Sequence, residues 1–489
     1  MGRVIGRGRA KVALGLALLI VAAIGSAACG DGGEPALVTP GGPDGSGTAA
    51  ATSSVGGRTF YVASDGDDAA EGSAERPWRT IQHAADVAVA GDTVVVRQGT
   101  YQERVTLARS GEEGKPITFR ASPGEKVTLD GGGEESEAFG LEKGVSHVRL
   151  EGFVLQDFRV WTIFLHGTNK DIEITDIETE GGEGGIHMTL GEHGKPQEGP
   201  VEDVVIRDSN FHDHVYGGID CTPGPCNRLR IIDTRSHDNG GEGDWGADGI
   251  GVEMGDDIVI EGCQVYGNGG DGIDLNSRDT GAVSNVVVSG CSVWGNGRNG
   301  IKLWRGGQIV NSLVHSSGSA GIDLEREGRY EIVNSLVASS GLDGDYGVVV
   351  AYPEESQPPQ NVTLLMRNSI FAFNNGGVYL GERVKLEEDY NLYFSREDCE
   401  IEAAFSERED ACFSRQDITS GAWLRETGNG QHSLAADPRF VDPKEGDYHL
   451  RGGSPAMDSG SGQEAPAVDM AGQARPQGGG YDMGPFEGS

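Results

Sequence analysis

Along much of this chain, apolar residues recur at every second position in short bursts, and each burst ends at glycine, asparagine or aspartate. Two stretches show it most plainly: DIVIEGCQVYGNGGDGIDLNS from Asp257 and NVVVSGCSVWGNGRNGIKLWR from Asn285. Both carry an alternating apolar run, then G-C-x-V, an aromatic residue, G-N-G, and G-I-x-L. Weaker copies lie upstream in DIEITDIETEGGEGGIHMTL, DVVIRDSNFHDHVYGGIDC and LRIIDTRSHDNGG, and downstream in IVNSLVHSSGSAGIDLE and LLMRNSIFAFNNGGVYLG. A period of two is the signature of a strand with one face buried. Each unit is too small to bury its apolar side alone, so stacking of successive units is required.

Stacked parallel strands place equivalent residues about 4.8 Å apart, so columns of like residues are expected. Asn239, Asn268, Asn296 and Asn374 share one turn position, as an internal asparagine ladder would. Ser209, Thr234, Cys263, Cys291 and Ser312 share another, as an inward column of small residues. For Cys263 and Cys291 this leaves two readings, a stack of buried thiols or a disulfide between rungs. The whole pattern resembles right-handed parallel β-helix proteins, an all-β solenoid class. Thr59 to Val105 looks like the entry module of secreted members of that class. Within it, Trp78 to Val89 reads as an amphipathic helix with Ile81, Ala85 and Val89 on one face, capping the open end of the solenoid. Asp437 to Gly460 looks like the matching tail.

The ends divide the chain further. Residues 1–28 read as a signal peptide: Arg3, Arg7, Arg9 and Lys11 precede the apolar run Val12 to Gly25. SAAC at Ser26–Cys29 resembles a bacterial lipobox, which implies lipidation of Cys29, an exported protein, and membrane attachment through that lipid alone; an ordinary signal peptide cut near Ala28, giving a secreted protein, is the alternative. Residues 29–57 lack large apolar side chains and read as a flexible tether. The β-helix with its cap is expected over 58–430 and the associated tail over 431–489. Six cysteines remain beyond Cys29, and Cys221–Cys226 and Cys399–Cys412 are local disulfide candidates. A formal charge of −37 disfavours nucleic acid and anionic membrane surfaces as partners. It equally disfavours an acidic polymer unless a cation or a local basic patch intervenes. A monomer is expected.

In G-I-x-L the Ile and Leu face inward, so x faces out. That outward column reads His187, Asp220, Gly251, Asp274, Lys302, Asp323, and Asp248, Asp271 and Asn299 stand at the turn just before the strands. Asp248, Asp271 and Asp274 should therefore cluster beside Lys302. Three close carboxylates need a counter-charge, and hard oxygen donors without thiolate or paired imidazole suit Ca²⁺. A lysine beside that cation, with its neighbouring acids neutralised, would be a base poised to take a proton. Such a site fits β-elimination on a uronic-acid polymer: the cation stabilises charge as the C5 proton leaves, and it bridges an acidic protein to an acidic polysaccharide. Trp304, the next outward residue, is a candidate sugar contact together with Arg305. A surface ladder of Asp274, Lys302 and Asp323 is the plainer alternative.

ADGIG at Ala247, GDGIDL at Gly270 and NGIKL at Asn299 resemble successive motifs of polysaccharide lyase family 9, the calcium-dependent pectate lyases. The resemblance implies Asp248, Asp271 and Asp274 as Ca²⁺ ligands and Lys302 as the base. One position departs: the first acid of the family's DDG is Gly270 here, and Asp244 or Glu253 are candidates to replace it. Pectate or a related uronate such as alginate is the implied substrate. A uronate C5-epimerase and a non-catalytic glycan-binding surface protein are the alternatives. SDGDDAAEG from Ser64 reads as a capped turn rather than a calcium loop. His187, His212, His214 and His237 read as surface or turn residues. Tyr266, Trp294 and His315 form an outward column that fits either sugar binding or stacking between rungs.

Overall fold

The computed structural model describes residues 57–188, 199–241, 246–276, 283–341, 346–352, 360–406 and 411–488. The signal segment, Cys29 and nearly all of the tether lie outside these residues. The chain coils into a parallel β-helix. One ladder holds thirteen strands. The other two faces join into a set of twenty-five, because long strands such as Gly217–Asn227 and Ile250–Glu261 run from one face onto the next. The core is the column of inward residues: Ile219, Ile250, Ile273, Ile301 and Ile322 lie in one line and are essentially unexposed.

The corners explain much of the composition. One corner places a residue of positive φ at Asp208, Asp233, Gly262, Gly290, Asn311, Asn334 and Asn368. Left-handed backbone favours Gly, Asn and Asp, so these three types alternate freely there. The residue after each is the expected small one, and it ties rung to rung. Cys291 N donates to Ser312 Oγ at 3.3 Å, Ser312 N to Ser335 Oγ at 3.2 Å, and Ser335 N to Ser369 Oγ at 3.2 Å. Cys263 and Cys291 sit in that column as free, buried thiols, and Cys221–Cys226 and Cys399–Cys412 are disulfides. The asparagine ladder forms at the next corner. Asn239 Nδ2 donates to Asn268 Oδ1 and Asn268 Nδ2 to Asn296 Oδ1, both at 2.9 Å.

The capping helix is shorter than its sequence pattern suggests, Ile81–Val87, because Thr80 caps it and accepts from His83 N at 3.1 Å. Ile81 and Ala85 are buried as expected, whereas Val89 lies past the helix end and is exposed. The Ser64–Gly72 stretch is a capped turn: Asp68 accepts from Arg79 N, Thr80 N and Thr80 Oγ1 at 2.8, 3.0 and 2.9 Å. At the far end a solenoid strand reaches Ala435, past the expected boundary, before an antiparallel hairpin, Phe440–Asp442 with Asp447–Leu450. The tail then folds back on the coil, where Asn311 Nδ2 donates to Val468 O at 2.7 Å.

Candidate functional site

The expected outward column forms in register. His187 pairs with Asp220, Asp220 with Gly251, Gly251 with Asp274, Asp274 with Lys302, and Lys302 with Asp323. The turn residues form their own ladder alongside it. Asp271 N donates to Asp248 Oδ1 at 2.7 Å, and Asn299 N and Nδ2 donate to Asp271 Oδ1 at 2.8 and 3.0 Å. Asp271 thus commits one oxygen to the next rung and keeps the other. That free atom, Asp271 Oδ2, is buried without a hydrogen-bond partner, and so is Asp274 Oδ1. Asn276 donates to the second oxygen of Asp274.

Asp248, Asp271 and Asp274 each bring a carboxylate oxygen to within 4.8 Å of the others. Buried anionic oxygens this close repel unless a cation or proton joins them. Burial, then Asp274 and Asp271, push Asp248 well above the usual carboxylate range. Burial pushes Asp274 up to about 7, opposed by Lys302 and reinforced by Asp271. The donors are all hard oxygens in a partly enclosed cradle, and a divalent cation of the Ca²⁺ kind fits them.

Lys302 Nζ lies 3.9 Å from Asp271 Oδ2, and Arg298 reaches the same oxygen at 4.0 Å. Burial alone would lower the lysine, but Asp274, Asp271, Asp323 and Glu325 outweigh it and hold its proton on. A neutral lysine, the state a base requires, is therefore not the resting state of the ion-free site. The column also faces out of the solenoid without facing solvent, since Asp274, Lys302 and Asp323 are only 8–9% exposed. Part of the cover is Trp304, whose ring centroid lies 5.1 Å from Lys302 Nζ and 4.6 Å from the Arg326 guanidinium. Trp304 thus packs over the lysine. Arg305 is exposed one residue further on.

The sequence profile described as "Pel9A-like, right handed beta helix region" matches residues 60–311, which include the whole acid and lysine cluster. This chain belongs to the Pel9A-like right-handed β-helix family. It is 26% identical to YwoF of Bacillus subtilis (strain 168), an uncharacterised protein, over 82% of this chain and 92% of that one. It is 32% identical to pectate lyase PEL9 of Emericella nidulans over a 107-residue stretch, 22% of this chain and 26% of the relative. The crystal structure of pectate lyase Pel9A superposes with a TM-score of 0.53 at 15% identity, covering 88% of this chain and 96% of that one. The two chains share a right-handed parallel β-helix fold.

Within this Pel9A-like frame Gly270 has a structural reason. A β-carbon there would collide with Asp248 Oδ1 and press on the Ala247 backbone, at 3.0 Å from its carbonyl carbon. Asp248 occupies the space an acid at position 270 would need. Of the two suggested substitutes, Asp244 lies outside the described residues. Glu253 points outward further along the Gly251 strand and is not one of the three clustered acids.

Several partners of the site were not apparent from sequence. Arg298, Asn276 and Arg326 all touch it or its neighbours. Asn276 and Arg326 follow in-column residues by two and three positions, so strand alternation points toward them only in part. Two histidines also differ from expectation. His187 is 1% exposed, with Nδ1 2.6 Å from Asp220 Oδ2 and its ring 4.7 Å from Trp161. His214 is buried against Thr179 Oγ1 at 2.8 Å and Gly181 O, and burial lowers it to about 4, so it is a neutral structural group. On a different sheet His212, His237, Tyr266, Trp294 and His315 stack face to face at 4.2–6.0 Å. Neighbouring rungs occupy those ring faces, so that column is a packing device.

Proposed function

We propose that this protein cleaves a uronic-acid polysaccharide by β-elimination, with Lys302 as the base and Asp248, Asp271 and Asp274 as holders of a Ca²⁺ ion. The observation that carries this reading is the buried pair of oxygens without a hydrogen bond, Asp271 Oδ2 and Asp274 Oδ1, beside an in-register lysine. A bound Ca²⁺ would neutralise uronate and carboxylate charge and stabilise charge developing at C5. The chain's own groups do the rest. Asp248 and Asp271 are fixed by the amides of the next rungs, and the second oxygen of Asp271 lies 3.9 Å from Lys302 Nζ. Lys302, relieved of the acids that hold its proton, accepts the C5 proton at Nζ. The C5–H electrons form the C4–C5 double bond, and the C4–O pair leaves with the departing sugar oxygen, which is protonated from solvent.

The substrate that fits is pectate-like, since a cation bridge offsets the formal charge of −37. The two disulfides suit an oxidising compartment, in keeping with an exported protein held at a membrane through Cys29 and the 29–57 tether. The test is ultraviolet absorbance of unsaturated uronide with polygalacturonate, with and without chelator. A calcium-dependent rise supports the reading. Inversion at C5 without absorbance would mean an epimerase, and neither signal, with no uronan bound, would mean another class of protein.

A further inference from the structure

The outward column does not stop at Lys302. It continues in register through Asp323 and Val349 to Tyr379 and then Glu402. Three rung spacings separate Lys302 from Tyr379, about 14 Å at about 4.8 Å per rung. Around Tyr379 the surface changes character. Tyr352 lies 5.0 Å from it and Tyr346 5.5 Å, at interplanar angles of 50° and 49°. Tyr346 donates its hydroxyl to the Glu402 carboxylate.

Tyr352 is 57% exposed, the most exposed large hydrophobic side chain among the described residues. The histidine and tyrosine ladder on the other sheet is different: its rings lie within 3–9° of parallel and cover one another. Tyr352 is tilted 50° against Tyr379, which is only 6% exposed, so Tyr352 is the ring that solvent reaches. An open aromatic face on a sheet that also carries a charged cluster is a place for the C–H face of a pyranose ring. Burial, then Glu402 and Glu382, push the Tyr379 phenol up to about 12, and those two carboxylates lie where they act on this patch. Their field repels a uronate carboxylate, and their oxygens accept from sugar hydroxyls.

We propose that Tyr352 and Glu402, backed by the buried Tyr379, form a distal subsite for an uncharged sugar unit of the same chain whose charged unit lies at Lys302. The uncharged unit is a uronate methyl ester or a neutral pyranose. This rests on the reading that a uronan lies along this face, and it narrows the substrate class: a polymer of mixed charge, with an uncharged unit about 14 Å along the solenoid from the bond cleaved.

The experiment measures binding by calorimetry with Ca²⁺ present, using Lys302→Ala so that no chain is cut. The probes are oligogalacturonates of one length, fully de-esterified or partly methyl-esterified, and a uronan interspersed with neutral sugars. At least one of the two mixed probes is expected to bind several-fold tighter than the de-esterified one, and which of them gains identifies the unit. Adding Tyr352→Ala, an exposed position, should erase the gain. Adding Glu402→Gln should narrow it by improving the de-esterified probe. On trisaccharides, too short to span both places, Tyr352→Ala should change nothing.

Equal affinity for all probes overturns the subsite, and so does a Tyr352→Ala effect that is absent or the same on every probe. If the unaltered protein cleaves pectate while these differences are missing, only the subsite fails. If no uronan binds at all, the subsite and the lyase reading fail together.

Discussion

Asp248 Oδ1 stands where a side chain on Gly270 would begin. The same oxygen accepts from the Asp271 amide at 2.7 Å, so it is locked by the ladder and does not simply swing aside. Among the described residues the acids that cluster here are three, Asp248, Asp271 and Asp274. Gly270→Asp, which restores the motif of the lyase family, should weaken Ca²⁺ binding by about tenfold, or about 1.4 kcal/mol, by displacing Asp248. Gly270→Ala should weaken it comparably, because the collision begins at the β-carbon. Calorimetry decides the point, and tighter binding in Gly270→Asp would show that the loop opens to admit the fourth acid.

Cation binding should depend on pH in one direction. Asp274 titrates at about 7 and Asp248 is raised well above the ordinary carboxylate range. Ca²⁺ binds the deprotonated forms, so affinity should rise as pH increases through about 7, with protons released on binding. Titrations at pH 6 and pH 8 in buffers of different ionisation enthalpy measure both effects. Asp274→Asn should flatten the dependence and lower the affinity at pH 8.

The ion-free protein should show the opposite trend in stability. An Asp raised from about 3.9 unfolded to about 7 folded binds more protons in the native state. Its contribution is present below about pH 4 and is lost as pH rises through about 7. The Tm in chelator should therefore fall between pH 5 and pH 8, and excess Ca²⁺ should reverse the fall. Asp274→Asn should be the more stable form at pH 8 in chelator, because it removes a buried charge. Thermal scans across pH read this directly.

The asparagine ladder gives a test of the scaffold away from the site. Asn268 is 1% exposed, accepts from Asn239 and donates to Asn296 Oδ1 and Ser236 O. Asn268→Ala strands these groups in a dry interior, where each orphaned partner costs about 1–3 kcal/mol. Denaturant unfolding should show a loss of a few kcal/mol.

The solenoid was legible because strand alternation and corner chemistry repeat. Inward Ile273 and Ile301, outward Asp274 and Lys302, and the Asn268–Asn296 ladder all follow from position in the repeat. Thus the sequence alone brings the three acids and the lysine together. What one repeat cannot show is what covers it. Lys302 and Asp274 look exposed by alternation, yet Trp304 and Arg326 close over the column from their own rungs. His187 looks like a surface residue until Trp161 and Asp220 from neighbouring turns enclose it. The protonation of Lys302 was equally hidden, since it depends on summing Asp274, Asp271, Asp323 and Glu325 over several rungs. Gly270 looked like a missing ligand, because its conflict with Asp248 is set by the height of a turn, which spacing does not encode.

The central claim is that Lys302 takes the C5 proton of a uronate engaged through a Ca²⁺ ion that the three acids hold. Its most direct test is the absorbance of unsaturated uronide on polygalacturonate and alginate, with unaltered protein and Lys302→Ala, each with calcium and with chelator. The account predicts a rise with the unaltered protein and calcium on one of these polymers, no rise in chelator, and none with Lys302→Ala, although that variant still binds calcium. A rise that survives in Lys302→Ala, or one indifferent to chelator, would contradict it.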